Sequence, residues 1–95
     1  MPVYMIIDIT IKESKTYDEY IEKVKPILES HGGRYLVRGG KITPGVGDWN
    51  PERIVIIEFD DMKLLQDCFK SNEYKKIASL REFSTLSRTI IVEGI

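Results

Sequence analysis

Arg34 and Arg38 stand four residues apart in the run His31-Gly32-Gly33-Arg34-Tyr35-Leu36-Val37-Arg38-Gly39-Gly40. On a regular strand, alternation puts both guanidinium groups on one face with Leu36, and Tyr35 and Val37 on the other. Two such forks can clamp a carboxylate or phosphate bidentately, and they can equally pair with acids across a sheet or a subunit interface. Arg81 shares a helical face with Tyr74 and Ile77, which aims it inward as either a ligand contact or half of an ion pair. Trp49, on a glycine-rich loop, reads as a lid over a cleft or as a plug into a partner subunit. His31 is the only histidine and so the sole candidate for proton transfer near neutrality, though capping and the helix dipole also account for its position. The expected ligand contacts are therefore Arg34, Arg38, Trp49, Tyr74 and Arg81, with His31 as the catalytic candidate.

Other chemistries find little support. No Ser-His-Asp or Cys-His pairing follows from the spacing, and one histidine among scattered acids carries no metal-ligand signature. Neither a metal nor a cofactor is expected. The glycines at 39, 40, 45 and 47 are not a phosphate loop, because no Lys-Ser/Thr opening a helix follows them. Arg53 and Glu58, five apart on one strand, face opposite ways and serve different sites. Pro2, once freed of Met1, would be a base of the tautomerase kind, but the chain lacks the corresponding repeat. Cys68 reads as a small core residue.

The 95 residues fit one domain, residues 1–95, in which a monomer would be only modestly stable. Fourteen Lys and Arg against fifteen Asp and Glu give a net charge of −1 with both signs interspersed, so neither nucleic acid nor an anionic membrane is an expected partner. A single cysteine and no signal-peptide pattern point to the reducing cytoplasm, and no apolar run is long enough to span a bilayer.

Residues that act together must be held by regular elements, and the pattern supplies them. Val3 to Ile11 is a strand with apolar residues on both alternating sets. Thr16 and Glu19 form a capping box before a helix whose stripe is Tyr17, Tyr20, Ile21, Val24, Ile27 and Leu28, with a kink expected at Pro26. His31 and Gly32 end it. A second strand is expected from Gly33 to Ile42, a loop from Thr43 to Pro51, and a third strand from Arg53 to Phe59. Asp60 or Asp61 caps a short helix through Met62, Leu65 and Phe69, and Ser71 caps another through Tyr74 and Arg81. Ser87 to Glu93 closes the order β-α-β-β-α-β. The fold class is α+β, a ferredoxin-like antiparallel sheet with its helices on one face.

Strands one and three are apolar on both faces, whereas the helices cover only one. The other face is therefore expected to pack on a second copy of the chain, giving a two-fold homodimer. With these elements in order, His31 to Gly40, Trp49-x-Pro51-x-Arg53, Val55 to Phe59, Ser71-x-Glu73-Tyr74 and Arg81 together resemble the domain-of-unknown-function family numbered thirteen-thirty, within the dimeric α/β-barrel superfamily. The resemblance covers nearly the whole chain and implies a ferredoxin-like fold, a homodimer and no assigned activity. Three functions stay open: binding of a small anionic or partly aromatic molecule between helix and sheet, cofactor-independent oxygenase or isomerase chemistry, and a purely structural or regulatory dimer.

Overall fold

The computed structural model describes residues 1–95. Its strands are β1 (Val3–Ile11), β2 (Arg34–Arg38), β3 (Arg53–Phe59) and β4 (Thr85–Glu93), joined antiparallel in the order β2-β3-β1-β4. Helix α1 (Ser14–Ser30) crosses from β1 to β2, and the second crossover is broken into α2 (Met62–Lys70), α3 (Asn72–Lys75) and α4 (Ala78–Ser84). This is the ferredoxin-like order that the pattern of apolar residues implies. No helix is long and apolar enough to cross a membrane.

The pleat decides which residues meet the helices. Val3, Met5 and Ile9 of β1 and Val55, Ile57 and Phe59 of β3 are buried on that side, against Tyr17, Val24 and Leu28 of α1 and Leu65 and Cys68 of α2. Phe59 is fully enclosed and holds the β3 end of this core. Gly33 packs so closely that a Cβ there would meet the Phe59 ring at 2.9 Å, so the helix-to-strand turn requires glycine at this point. The opposite face carries Ile6, Ile54 and Ile56 with Leu86, Ile90 and Val92, the last three well exposed.

Three local expectations need correction. Helix α1 starts at Ser14 rather than after Thr16, because the Glu13 carboxylate accepts from the Thr16 backbone N–H at 2.6 Å and caps the helix three residues earlier. The helix then runs through Pro26 to Ser30. Strand β2 ends at Arg38, well short of Ile42, because Gly39 takes φ +72° and turns the chain away while still donating to Ile54 O at 3.0 Å. Most consequential is a bulge: Tyr35 pairs with Ile57 and Val37 with Ile56, which leaves Leu36 as an extra residue. Arg34 and Arg38 consequently point to opposite faces of the sheet, and the expected joint clamp does not form.

Two further bounds shift, because the helix expected from Ser71 through Arg81 breaks into α3 and α4 and β4 begins at Thr85 rather than Ser87, while the remaining caps behave as read. Asp61 accepts from Leu64 N–H at 2.9 Å to cap α2, and Ser71 Oγ accepts from Tyr74 N–H at 3.2 Å to cap α3. At the end of α1 the imidazole Nδ1 of His31 sits 3.0 Å from the Ile27 carbonyl, and Gly32 takes φ +83° while Gly33 N–H donates to Leu28 O at 2.8 Å.

Candidate functional site

A cavity of about 310 Å³ lies between the sheet and the helices. Its floor is Ile7, Val55 and Ile57, and its aromatic walls are Tyr17, Tyr20, Tyr35, Phe69 and Tyr74. Arg38, Arg53 and Arg81 line it too, and none of its seventeen lining residues is Asp or Glu.

Each arginine arrives by a different local device. The bulge at Leu36 swings Arg38 to the helix side, where its guanidinium carbon lies 4.7 Å from the centre of the Tyr35 ring and Nη2 reaches Ile21 O at 3.4 Å. Arg53 opens β3 in step with Val55, Ile57 and Phe59, so the pleat turns it toward the helices. Its Nε donates to the Tyr17 hydroxyl at 2.9 Å, and its guanidinium carbon lies 5.4 Å from that ring's centre. Gly39 makes room for this guanidinium, which a Cβ would strike. Arg81 projects from α4, and its Nε is buried without a hydrogen-bond partner. No carboxylate forms an ion pair with any of the three.

Tyrosine hydroxyls surround these charges. The Tyr20 and Tyr74 hydroxyls share a hydrogen bond at 2.9 Å, and Phe69 meets Tyr74 edge-on at 4.8 Å between centroids. Burial raises the Tyr20 hydroxyl far above the ordinary phenol range, with Tyr74 adding to the effect and Arg81 opposing it. Burial likewise pushes Tyr35 up to about 12 against the pull of Arg38. Tyr17 is raised by burial and drawn back by Arg53. At neutral pH these groups donate and accept hydrogen bonds but are not bases.

Of the residues singled out in the sequence, Arg38, Tyr74 and Arg81 meet at this cavity, whereas Arg34, Trp49 and His31 do not. Arg34 lies on the opposite face, where Glu58 at 3.1 Å and Asp60 at 2.9 Å satisfy it. Trp49 is also on that side, donating from its indole to Asp8 Oδ2 at 3.0 Å beside the Arg88–Asp8 pair at 2.7 Å. It is a latch for its own loop rather than a lid over the cavity. His31 is spent on the α1 cap. Arg53, Tyr17, Tyr20, Tyr35 and Phe69 were not singled out as site residues. The parity of Arg53 with Val55 and Ile57, and the place of Tyr17 and Tyr20 within the α1 stripe, are the signals that find them.

The latch has a pH dependence of known sign. The Trp49 indole, and then Arg88, hold the Asp8 carboxyl below the ordinary range, so the contact is intact at neutral pH and fades as pH falls through that depressed value, below about pH 4. Trp49 is the only tryptophan, so its fluorescence reads the contact directly. Asp8→Asn is expected to shift the emission at pH 7 toward that of wild type at acid pH. Unchanged emission would mean that the indole is not held by Asp8.

Comparison with known proteins agrees with this architecture. A family model for a domain of unknown function, DUF1330, matches residues 2–95. No curated protein matches the chain by sequence. Among solved structures, a protein of unknown function from Rhodopseudomonas palustris aligns with a TM-score of 0.82 at 17% identity, over 99% of this chain and 82% of its own. SnoaB, a cofactor-independent oxygenase from Streptomyces nogalater, aligns at 0.72 and 8% identity, over 99% and 93%. A DABB family protein with a ferredoxin-like fold from Mesorhizobium loti aligns at 0.72 and 14%, over 99% and 97%. At such identities the likeness is one of fold. With its family model spanning nearly every residue of the β-α-β-β-α-β unit, the chain belongs to the DUF1330 family.

Proposed function

We propose that this protein is a homodimeric cytoplasmic binding module that holds a small anionic, partly aromatic molecule in the cavity between helices and sheet. The observation that carries this reading is the lining: three arginines, five aromatic rings and no carboxylate, with Arg81 Nε buried and unpartnered. Partial burial of the Arg81 guanidinium with no counter-charge at hand is unfavourable, and a bound anion offsets it. The aromatic and aliphatic walls then supply the apolar contact typical of small-molecule sites. A regulatory dimer whose arginines are all satisfied by protein acids accounts for Arg34 and leaves Arg38, Arg53 and Arg81 unexplained. The second copy belongs on the open sheet face, which carries Leu86, Ile90 and Val92 exposed. The buried Cys68 thiol, pushed up to about 11 by burial, is inert and suits a reducing compartment.

The test is calorimetric titration of the dimer with benzoate and with benzamide, which share a shape and differ in charge. Benzoate is expected to bind at least about tenfold more tightly, the worth of one charge-assisted hydrogen bond. Equal affinities would overturn the reading.

Cofactor-independent oxygenase or isomerase chemistry is a second reading, favoured by the fold shared with the Streptomyces oxygenase. His31 lies outside the cavity, so in this reading the proton donor is the Tyr20–Tyr74 hydroxyl pair. Oxygen uptake or substrate isomerisation that survives His31→Ala and fails in Tyr20→Phe would establish it.

A further inference from the structure

We infer that the cavity takes a ligand with two acidic groups, one at each end of a flat apolar body. The inference rests on the binding reading above and narrows its ligand class. The cavity's positive charge falls into two poles. Arg38 and Arg53 come from the neighbouring strands β2 and β3, on one side of the sheet, where Arg53 donates to the Tyr17 hydroxyl and Arg38 lies over the Tyr35 ring. Arg81 comes from α4, which packs on α1 and leads into β4 at the other edge, and it acts on the Tyr20 hydroxyl.

Helix α1 spans the poles within one turn. Tyr17 accepts from Arg53 at 2.9 Å, and Tyr20 joins Tyr74 beside Arg81, with the two α1 rings stacked and their centroids 6.3 Å apart. The floor beneath is Ile7, Val55 and Ile57, with nothing charged. A single carboxylate balances one pole and leaves the other without a counter-charge. A benzene ring bearing carboxylates at opposite positions puts an anion at each pole and its apolar ring over the aliphatic floor. Its faces meet the tyrosine rings in stacked or edge-on contact. Arg38 is solvent-exposed at the rim, so this pole is the entrance and Arg81 the inner end.

The experiment is calorimetric titration with terephthalate, its monomethyl ester and its dimethyl ester, against wild type and Arg38→Met. The diacid is expected to bind wild type about tenfold or more tighter than the monoester, the gain of a second charge-assisted contact. Arg38→Met is expected to cut that preference severalfold, since Arg53 alone then remains at this pole, and to weaken the diacid more than the monoester. Equal binding of diacid and monoester to wild type would overturn the two-pole assignment and leave anion binding intact. A dimethyl ester that binds as well as either acid, or no binding of the acids at millimolar concentration, would overturn both. Far-ultraviolet circular dichroism of the variant checks that it is folded, and a preference retained in full in folded Arg38→Met would remove Arg38 from the pole.

Discussion

On the proposed sheet-to-sheet homodimer, a lysine in place of Ile56 is expected to give a folded monomer. The reason lies in the cross-strand register. Val37, Ile56, Ile6 and Ile90 are successive partners across β2, β3, β1 and β4, so one apolar row runs the full width of the sheet on the face away from the helices. Charged pairs flank it: Arg34 with Glu58 on one side and Asp8 with Arg88 on the other. An apolar stripe between self-paired charges is the surface expected of an isologous interface, because each copy meets the same residues in reverse order. A lysine in the centre of that stripe carries its charge into the contact without a partner. That costs at least about 3 kcal/mol, roughly a hundredfold in the dissociation constant. The subunit survives, because Ile56 takes no part in the core formed by Val55, Ile57 and Phe59 on the opposite face. Sedimentation velocity at micromolar concentration separates the species. A variant that stays dimeric would show that the copies meet elsewhere.

The fold was legible because each long element carries its own periodicity. Val3 to Ile11 and Arg53 to Phe59 are short β-branched runs apolar on both alternating sets, and the α1 stripe repeats at three and four, so the order of elements and the inward face of α1 follow from side-chain type and spacing. The apolar character of both faces of β1 and β3 also showed that the helices leave one sheet side bare, but not which one, and the pleat of the folded sheet settles that. The site was less legible, and the failure traces to one residue. A bulge at Leu36 inverts the parity of everything after it, and no glycine or proline inside Arg34–Arg38 marks the place. With the parity restored, Arg38 and Arg34 exchange the shared role given to them for separate ones, cavity cation and surface ion pair.

Trp49 misled for a different reason. A large aromatic on a glycine-rich loop suggests a lid, but its indole N–H needs an acceptor, and the nearest is Asp8 on the sheet face away from the cavity. The tyrosines were hidden by their ordinariness. Tyr17 and Tyr20 satisfy an amphipathic stripe, and only the three-dimensional arrangement shows that their hydroxyls face arginines instead of water.

Replacing Arg81 by methionine is expected to move stability and binding in opposite directions. In the free protein the Arg81 Nε is buried with no acceptor, and the surrounding Tyr20, Tyr74 and Phe69 favour an apolar neighbour. Methionine fills similar space without the desolvation cost, so the variant is expected to gain about 1 kcal/mol, a rise of several degrees in Tm for a chain of this size. Because mass action makes the Tm of a dimer concentration-dependent, both proteins are compared at one concentration. The same change removes the guanidinium that a bound anion would neutralise, and benzoate affinity is expected to fall by about tenfold or more. A residue kept for structure loses stability when removed, whereas one kept for a ligand gains it and loses the ligand. A destabilised Arg81→Met with unaltered benzoate affinity would assign Arg81 to the scaffold and leave Arg38 and Arg53 as the cavity's working cations.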